Sequence, residues 1–280
     1  MRVKSSEYKK RNMKIWNEVA PRYHKRWATA SKGPFQSTKK LVTSLDIKKG
    51  DHVLDVASGT GVVTKLLKHK VGKIGYVIGA DTSTTAIKVA KKWNGKSQNL
   101  LFVNADAENF AFKKKFDVIT CQYALFFFPN SQKALKNMRN SLRKEGKLGI
   151  SVHGHPDRVP YFDNIFDAVT QFIPNYVPSG TPDFDRFGTK KQLKDEIKKA
   201  GFSKIKVNDY NFPYSPGTFE QYWKNYLRYI AKPIKEKLDK LEKSQRKELK
   251  EMIRKNAKPY TKRNEIIQFP WEVLILTAKY

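Results

Sequence analysis

An acid at position 55 inside an apolar run, a small-residue turn directly after it, and further acids at positions 81 and 106 are the side chains here best suited to holding a ligand. The run Val53-Leu54-Asp55-Val56-Ala57-Ser58-Gly59-Thr60-Gly61 reads as a buried parallel strand that ends in a tight loop and feeds a helix over 62–69. In α/β proteins that junction is where nucleotide-like ligands bind. A dinucleotide fingerprint needs glycine at the first, third and sixth positions of such a turn, for close pyrophosphate approach and helix packing. Frames starting at Ala57 and at Gly59 put Val62 and Thr64 at the sixth position, so both fail. A Gly-Lys-Ser/Thr phosphate loop is absent too. What remains is a ligand without phosphates that still needs backbone close to it. Gly59 and Gly61 are read as leaving that room, and Asp55 as organising an amino group or the loop itself.

The other two acids follow the next two strands. Asp81 ends the apolar run 77–80, where a carboxylate can accept from both hydroxyls of a ribose. Asp106 follows the third strand, where it can accept from an adenine amino group while the Ala107 amide meets a ring nitrogen. Any one of these acids is equally well read as a helix N-cap. Three in register after three consecutive strands favour an adenosine-shaped ligand.

The elements that must position these residues alternate. Strand signals at 53–56, 76–80, 100–103, 118–121 and 148–152 are separated by helical stretches, which predicts a parallel sheet covered on both faces. Ahead of them, 4–30 reads as one or two amphipathic helices carrying Ile15, Trp16, Val19, Tyr23 and Trp27, and 37–45 as another. A helix over 132–142 is closed by Lys144-Glu145-Gly146, and one over 188–200 stops at Gly201-Phe202. A sixth strand follows at 205–214. From 218 to 258 the chain is helical and Lys/Glu-rich, with 235–258 a solvated amphipathic hairpin, and a last strand returns at 272–279. The expected organisation is an N-terminal helical arm or lid (1–36), a core that binds the cofactor (37–155), a substrate-side insertion (156–187), and the end of the sheet (188–280) with a helical cap at about 215–265.

With 39% apolar and 12% aromatic residues in 280, the chain can bury a sizeable core. Its net charge of +30 permits nucleic-acid binding. Most of that charge is lysine spread over nearly every segment, however, which fits a general compositional bias better than a dedicated phosphate-reading surface rich in arginine. Cys121 is the single cysteine; it allows no internal disulfide and no cysteine-built zinc site, and no metal is expected. No apolar run approaches the roughly 18 to 20 residues that span a bilayer, and the start does not resemble a secretory signal, so a cytoplasmic protein is expected.

On Val53–Gly61, Asp81, Asp106-Ala107 and the Phe116-Asp117-Val118-Ile119…Phe128-Pro129 strand and loop, the sequence resembles the class I S-adenosylmethionine-dependent methyltransferases, in particular their small-molecule and quinone C-methyltransferase branch. The likeness is best over roughly 10–155. It implies a Rossmann-like α/β fold: a seven-stranded, mostly parallel sheet with helices on both faces, an N-terminal helical arm and a C-terminal helical insertion forming a cap. It also implies S-adenosyl-L-methionine as cofactor and S-adenosyl-L-homocysteine as product. Carried over by position, Asp55, Ala57, Ser58, Gly59 and Gly61 would hold the methionine part, Asp81 with Thr82 the ribose, and Asp106 with Ala107 the adenine. Gln122 and Tyr123 would lie near the transferable methyl, and Tyr23 would close over the cofactor from the arm. Ala57 stands where many relatives have glycine.

The same resemblance narrows the acceptor. The stretch 121–125 lacks the Asn/Asp-Pro-Pro-Tyr of enzymes that methylate amino groups on bases, glutamine or adenine, and Cys121 is not in the Pro-Cys context of cytosine and uracil carbon methylation. A small acceptor methylated on oxygen, carbon or nitrogen is expected. The aromatic supply at Phe126, Phe127, Phe128, Tyr161, Phe162, Phe166, Phe172, Tyr222, Trp223, Tyr226 and Tyr229 makes it apolar or ring-containing. His153, where the fifth strand exits, is the candidate general base, ahead of His155 and His24. Two alternatives stand beside this reading: an RNA or protein methyltransferase using the basic surface, and a non-catalytic module that binds the cofactor or its product.

Overall fold

The computed structural model describes residues 2–28, 33–173, 176–177, 180–229 and 232–280. Seven strands form one sheet in the order β3-β2-β1-β4-β5-β7-β6. β1 (His52–Val56), β2 (Tyr76–Asp81), β3 (Leu100–Asn104), β4 (Phe116–Gln122) and β5 (Leu142–His153) are parallel to one another. β7 (Ile266–Lys279) runs antiparallel between β5 and β6 (Ser203–Thr218). The order reverses between β1 and β4, which opens a crevice at their carboxyl ends.

The alternation of side chains along each strand divides the core. Leu54, Val56, Ile78, Ile119 and Cys121 face one side, where they pack with Leu135 and Met138 of α5 (Ser131–Ser141) and Leu193 and Ile197 of α7 (Lys190–Lys199). Val53, Val77 and Val118 face the other, against Val42 of α2 (Thr38–Ser44) and Val63, Leu67 and Val71 of α3 (Val62–Val71). Continuous apolar strands are what burial on both faces demands. α4 (Thr84–Asn94) follows β2, its first turn capped by Ser83 Oγ, which accepts from the Ala86 N–H at 3.0 Å.

The arm is a single helix, α1 (Arg2–Tyr23), ending in a π-helical turn (His24–Ala28) and not two helices; residues 29–30 of the expected arm lie outside the described residues. The Lys144-Glu145-Gly146 segment does not close a separate turn. α5 passes at Leu142 directly into β5, whose pairing with β4 shifts register between Phe116 and Val118, with Glu145 at a φ of 62°. β6 and β7 are also longer than expected. Their ladder continues to Thr218↔Ile266, beyond the last β5 pair at His153↔Val273. The overhanging part of this ladder carries Tyr214, Phe269 and Trp271, on which α6 (Pro160–Phe172), α8 (Phe219–Tyr229) and α10 (Lys243–Ala257) pack through Tyr161, Tyr222, Leu249 and Ile253. α9 (Lys232–Asp239) lies between α8 and α10 in the chain and contributes Leu238 to the same cluster. The apolar face expected for 235–258 is therefore partly core. No helix among the described residues is long and apolar enough to cross a membrane.

Candidate cofactor and active site

A cavity of about 370 Å³ sits at the carboxyl ends of β1 to β4, roofed by α1. Tyr23, Asp55, Ala57, Ser58, Gly59, Asp81, Thr82, Asp106, Ala107, Gln122 and Tyr123 all line it. Gly61 does not. It takes a φ of 84° at the start of α3, and a Cβ there would stand 2.6 Å from Asn94 Nδ2 and 3.0 Å from Phe102 Cζ, so its glycine serves the turn and the packing rather than ligand room. At Gly59, by contrast, a Cβ would meet nothing within 4 Å. Ala57 and Tyr123 both hold a φ of 53°, strained for residues with a side chain, one at each side of the cavity floor.

The acids are built in from behind. Asp55 is buried, and its two oxygens accept from Thr64 Oγ1 at 2.5 Å and Thr120 Oγ1 at 2.8 Å. Burial pushes its carboxyl up to about 6 against those bonds. Asp81 accepts from the Gly59 N–H and the Ser83 N–H, each at 2.8 Å, so it shapes the glycine turn. Burial raises it as well. Asp106 accepts from the Glu108 N–H at 2.9 Å, Lys9 Nζ at 2.9 Å and Asn109 Nδ2 at 2.7 Å. Burial pushes this carboxyl up, but those bonds outweigh it and hold it below the usual range.

At the other end, Gln122 Nε2 donates to Thr38 Oγ1 at 3.0 Å, and the Tyr123 hydroxyl lies 2.7 Å from Ser37 Oγ. Tyr23 reaches the cavity through an edge-to-face series, with ring centroids 5.5 Å from Trp16, 5.6 Å from Phe35 and 4.9 Å from Trp27. His153 is not on the cavity lining. It stands behind Tyr123, rings stacked at 4.6 Å, among Phe126, Phe162 and Trp271. Burial holds its imidazole down to about 3 and its Nδ1 has no partner, so it does not suit the general-base role read from its place after β5. His155 is turned outward, 3.0 Å from Asp157. His24 instead buttresses the loop, its Nδ1 2.8 Å from Thr60 Oγ1 and its ring 4.7 Å from Trp93.

Sequence reasoning missed Tyr8, Lys9, Asn12, Met13 and Trp16, all on the lining. With Ala20 and Tyr23 they form a stripe at three-to-four spacing along α1, a signal hidden because half of it is polar. The cavity has the features an adenosine-bearing sulfonium cofactor requires: an open glycine turn, a carboxylate on the lining after β2, and the buried unpartnered oxygens of Ser58 and Gln122.

A methyltransferase domain model matches residues 47–209. The ubiquinone/menaquinone biosynthesis C-methyltransferase UbiE of Pseudomonas fluorescens is 32% identical over 219 residues, covering 72% of this chain and 85% of that protein. The demethylmenaquinone methyltransferase of Staphylococcus haemolyticus is 28% identical, covering 74% of this chain and 85% of that one. Among solved structures, a Bacillus halodurans protein described as a methyltransferase superposes with a TM-score of 0.59 at 20% identity, over 87% of this chain and 98% of its own. A Haemonchus contortus phosphoethanolamine N-methyltransferase bound to S-adenosylhomocysteine superposes at 0.54 and 16% identity, over 87% of this chain and 52% of its own. Those two likenesses show the fold. The chain belongs to the class I S-adenosylmethionine-dependent methyltransferases. It is an enzyme whose cofactor is S-adenosyl-L-methionine.

Proposed function

We propose that this methyltransferase acts on a small, apolar, ring-containing acceptor, and that carbon methylation of a quinol-type ring is the reading best supported. The carrying observation is the aromatic wall at the Gln122 end of the cavity: Trp16, Tyr23, Phe35, Tyr123 and Phe127 all line it. The names of the relatives point the same way. The bound cofactor supplies a methyl group already activated on sulfonium sulfur. The chain's contribution is alignment: rings that hold a flat acceptor against the sulfonium methyl. In this reading Asp55, Ala57, Ser58 and Gly59 hold the methionine part, Asp81 and Thr82 the ribose, and Asp106 and Ala107 the adenine. Gln122, Tyr123 and Tyr23 lie toward the methyl. Among the described residues the lining holds no His, and its acids are Asp55, Asp81, Asp106 and Glu108. A phenol or enol acceptor suits such a site, because its own oxygen raises the electron density of the attacked carbon and the displaced ring proton can leave to water. The arm 1–36, the segment 156–187 and the cap at about 215–265 serve as cover.

The test is methyl transfer from labelled cofactor to a panel of hydroquinones with one open ring position, simple phenols, amines and bulk RNA, with products located by mass spectrometry. Carbon methylation of the hydroquinones is expected. Label appearing only in amines or RNA would overturn the acceptor reading. For the site, Asp81→Ala should lower S-adenosylhomocysteine affinity by about tenfold or more by calorimetry, since it removes a charged acceptor and loosens Gly59. Unchanged affinity would refute the ribose assignment.

A further inference from the structure

Three side-chain oxygens on the cavity lining are buried without a hydrogen-bond partner: Ser58 Oγ, Gln122 Oε1 and the hydroxyl of Tyr8. The first two belong to the strand ends already described. The third comes from α1, outside every element that the sheet's order would nominate. Tyr8 is only 3% exposed. Burying a phenol with nothing to bond costs about 1–3 kcal/mol, and buried tyrosines ordinarily find a partner. Tyr8 is on the cavity lining, so its unmet hydroxyl is available to complete a bond with a ligand there.

The surroundings of Tyr8 identify which end of the ligand that is. Its neighbour Lys9 bridges Asp106 Oδ2 at 2.9 Å and Glu108 Oε2 at 2.6 Å. The other Glu108 oxygen accepts from the Asn130 N–H at 3.0 Å, which ties the loop after β3 to the loop after β4. Tyr8 also feels the charge of Arg186, whose guanidinium donates to the carbonyl oxygens of Phe126 at 3.2 Å and of Phe128. Because Lys9 fixes this turn of α1 beside Asp106 and Glu108, Tyr8 enters near the end of the cavity that Asp106 and Ala107 frame, whereas Tyr23, about four turns further along the same helix, lies well away from it.

We propose that the Tyr8 hydroxyl hydrogen-bonds the nucleobase of the bound cofactor, so that α1 forms one wall of the adenine subsite as well as the cover over the reacting end. A purine edge offers both ring-nitrogen acceptors and an amino donor, and a neutral phenol can serve either. The inference rests on the reading of Asp106 and Ala107 as the adenine end.

Tyr8→Phe keeps the ring that packs α1 and removes only the oxygen. Calorimetric titration of wild type and variant with S-adenosylhomocysteine and with 5′-methylthioadenosine, which lacks the amino-acid end, gives the main readout. Affinity for both is expected to fall by the same factor, about 3- to 10-fold. The ligand-free variant is expected to melt at the wild-type temperature or higher, because an unmet polar group has been removed. Unchanged affinity for S-adenosylhomocysteine would overturn the proposal. So would a loss confined to S-adenosylhomocysteine, which would put the contact at the amino-acid end, or a lower melting point of the ligand-free variant, which would show that the hydroxyl already has a structural bond. Failure of wild type to bind S-adenosylhomocysteine would instead overturn the cofactor site itself.

Discussion

Asp55 shows how a residue of the cavity lining can carry a stability cost. Its folded-state carboxyl, pushed up to about 6 by burial, holds a proton that the unfolded chain releases near 3.8. Between those values the folded state binds more protons, so stability rises as pH falls from about 6 toward 4, and above about 6 the cost is fully present. The difference of roughly two units corresponds to at most about 3 kcal/mol. Asp55→Asn should therefore leave the ligand-free protein at pH 7 at least as stable as wild type and flatten the slope of stability between pH 4 and 6. Asp81, Asp163 and Asp185, also raised by burial, leave a residual slope. Urea unfolding from pH 4.5 to 7.5 reads both, and a variant with the wild-type slope would show that Asp55 is not the titrating group. Asp55, Gly59, Asp81 and Asp106 were legible in the sequence as lining residues because each stands at or near a strand end, and three acids in register outweigh the helix N-cap reading open to any one of them. Tyr8 and Lys9 were not, since on a polar helix nothing separates a residue that faces a ligand from one that faces water. Gly61 was legible as glycine but not in role, because its constraint comes from Asn94 and Phe102, distant in sequence.

At the level of elements, the parallel half of the sheet was legible throughout, as continuous apolar strands with helices between them leave little choice. The paired strands β6 and β7 read short in the sequence because Pro216, Gly217 and Pro270 look like strand breakers; the structure pairs Pro213 with Pro270 in the overhanging part of a ladder, beyond the reach of β5. The attachment of α1 was illegible, being made by single polar contacts. Lys9 spans Asp106 and Glu108, and Asn17 Oδ1 accepts from Ser83 Oγ at 2.8 Å and the Thr85 N–H at 3.1 Å at the start of α4. Lys9→Met removes the first clamp and leaves nearly buried Glu108 with only the Asn130 N–H. For a partly buried ion pair the expected cost is about 1–2 kcal/mol, so α1 should open some 5- to 30-fold more often. Hydrogen exchange should speed up across 5–20 while β1 and β4 stay protected, and saturating S-adenosylhomocysteine should restore part of the protection. Unchanged exchange in the arm would mean that Asn17 and the aromatic series hold it without Lys9.

Over the whole molecule, the charge of +30 is unevenly placed in a way that bears on substrate. From 148 to 189 the chain contains no lysine, yet carries Asp157, Asp163, Asp167, Asp183 and Asp185. This stretch includes Phe184, whose ring lies 5.1 Å from Phe127 on the cavity lining. Burial, then the charges of Asp185 and Asp167, push the Asp163 carboxyl up to about 7, as expected where carboxylates crowd without lysines to relieve them. Polyanions are thus drawn to the lysine-rich helices and away from this cover. α3, α4 and the loop that joins them through β2 supply Lys65, Lys68, Lys70, Lys73, Lys88, Lys91 and Lys92, with Asp81 the single acid from 62 to 94. Short RNA or heparin should therefore bind at low ionic strength, with an affinity that falls steeply between 50 and 200 mM salt. That binding should leave the affinity for S-adenosylhomocysteine and the methylation of a ring acceptor unchanged, because it occupies a different face. Titrating S-adenosylhomocysteine with and without saturating RNA at low salt makes the comparison directly. Competition between them, or an acceptor KM that rises with RNA, would place the polyanion at the cavity mouth and turn the basic surface into part of the substrate site; independence would leave the lysines a matter of solubility and non-specific attraction.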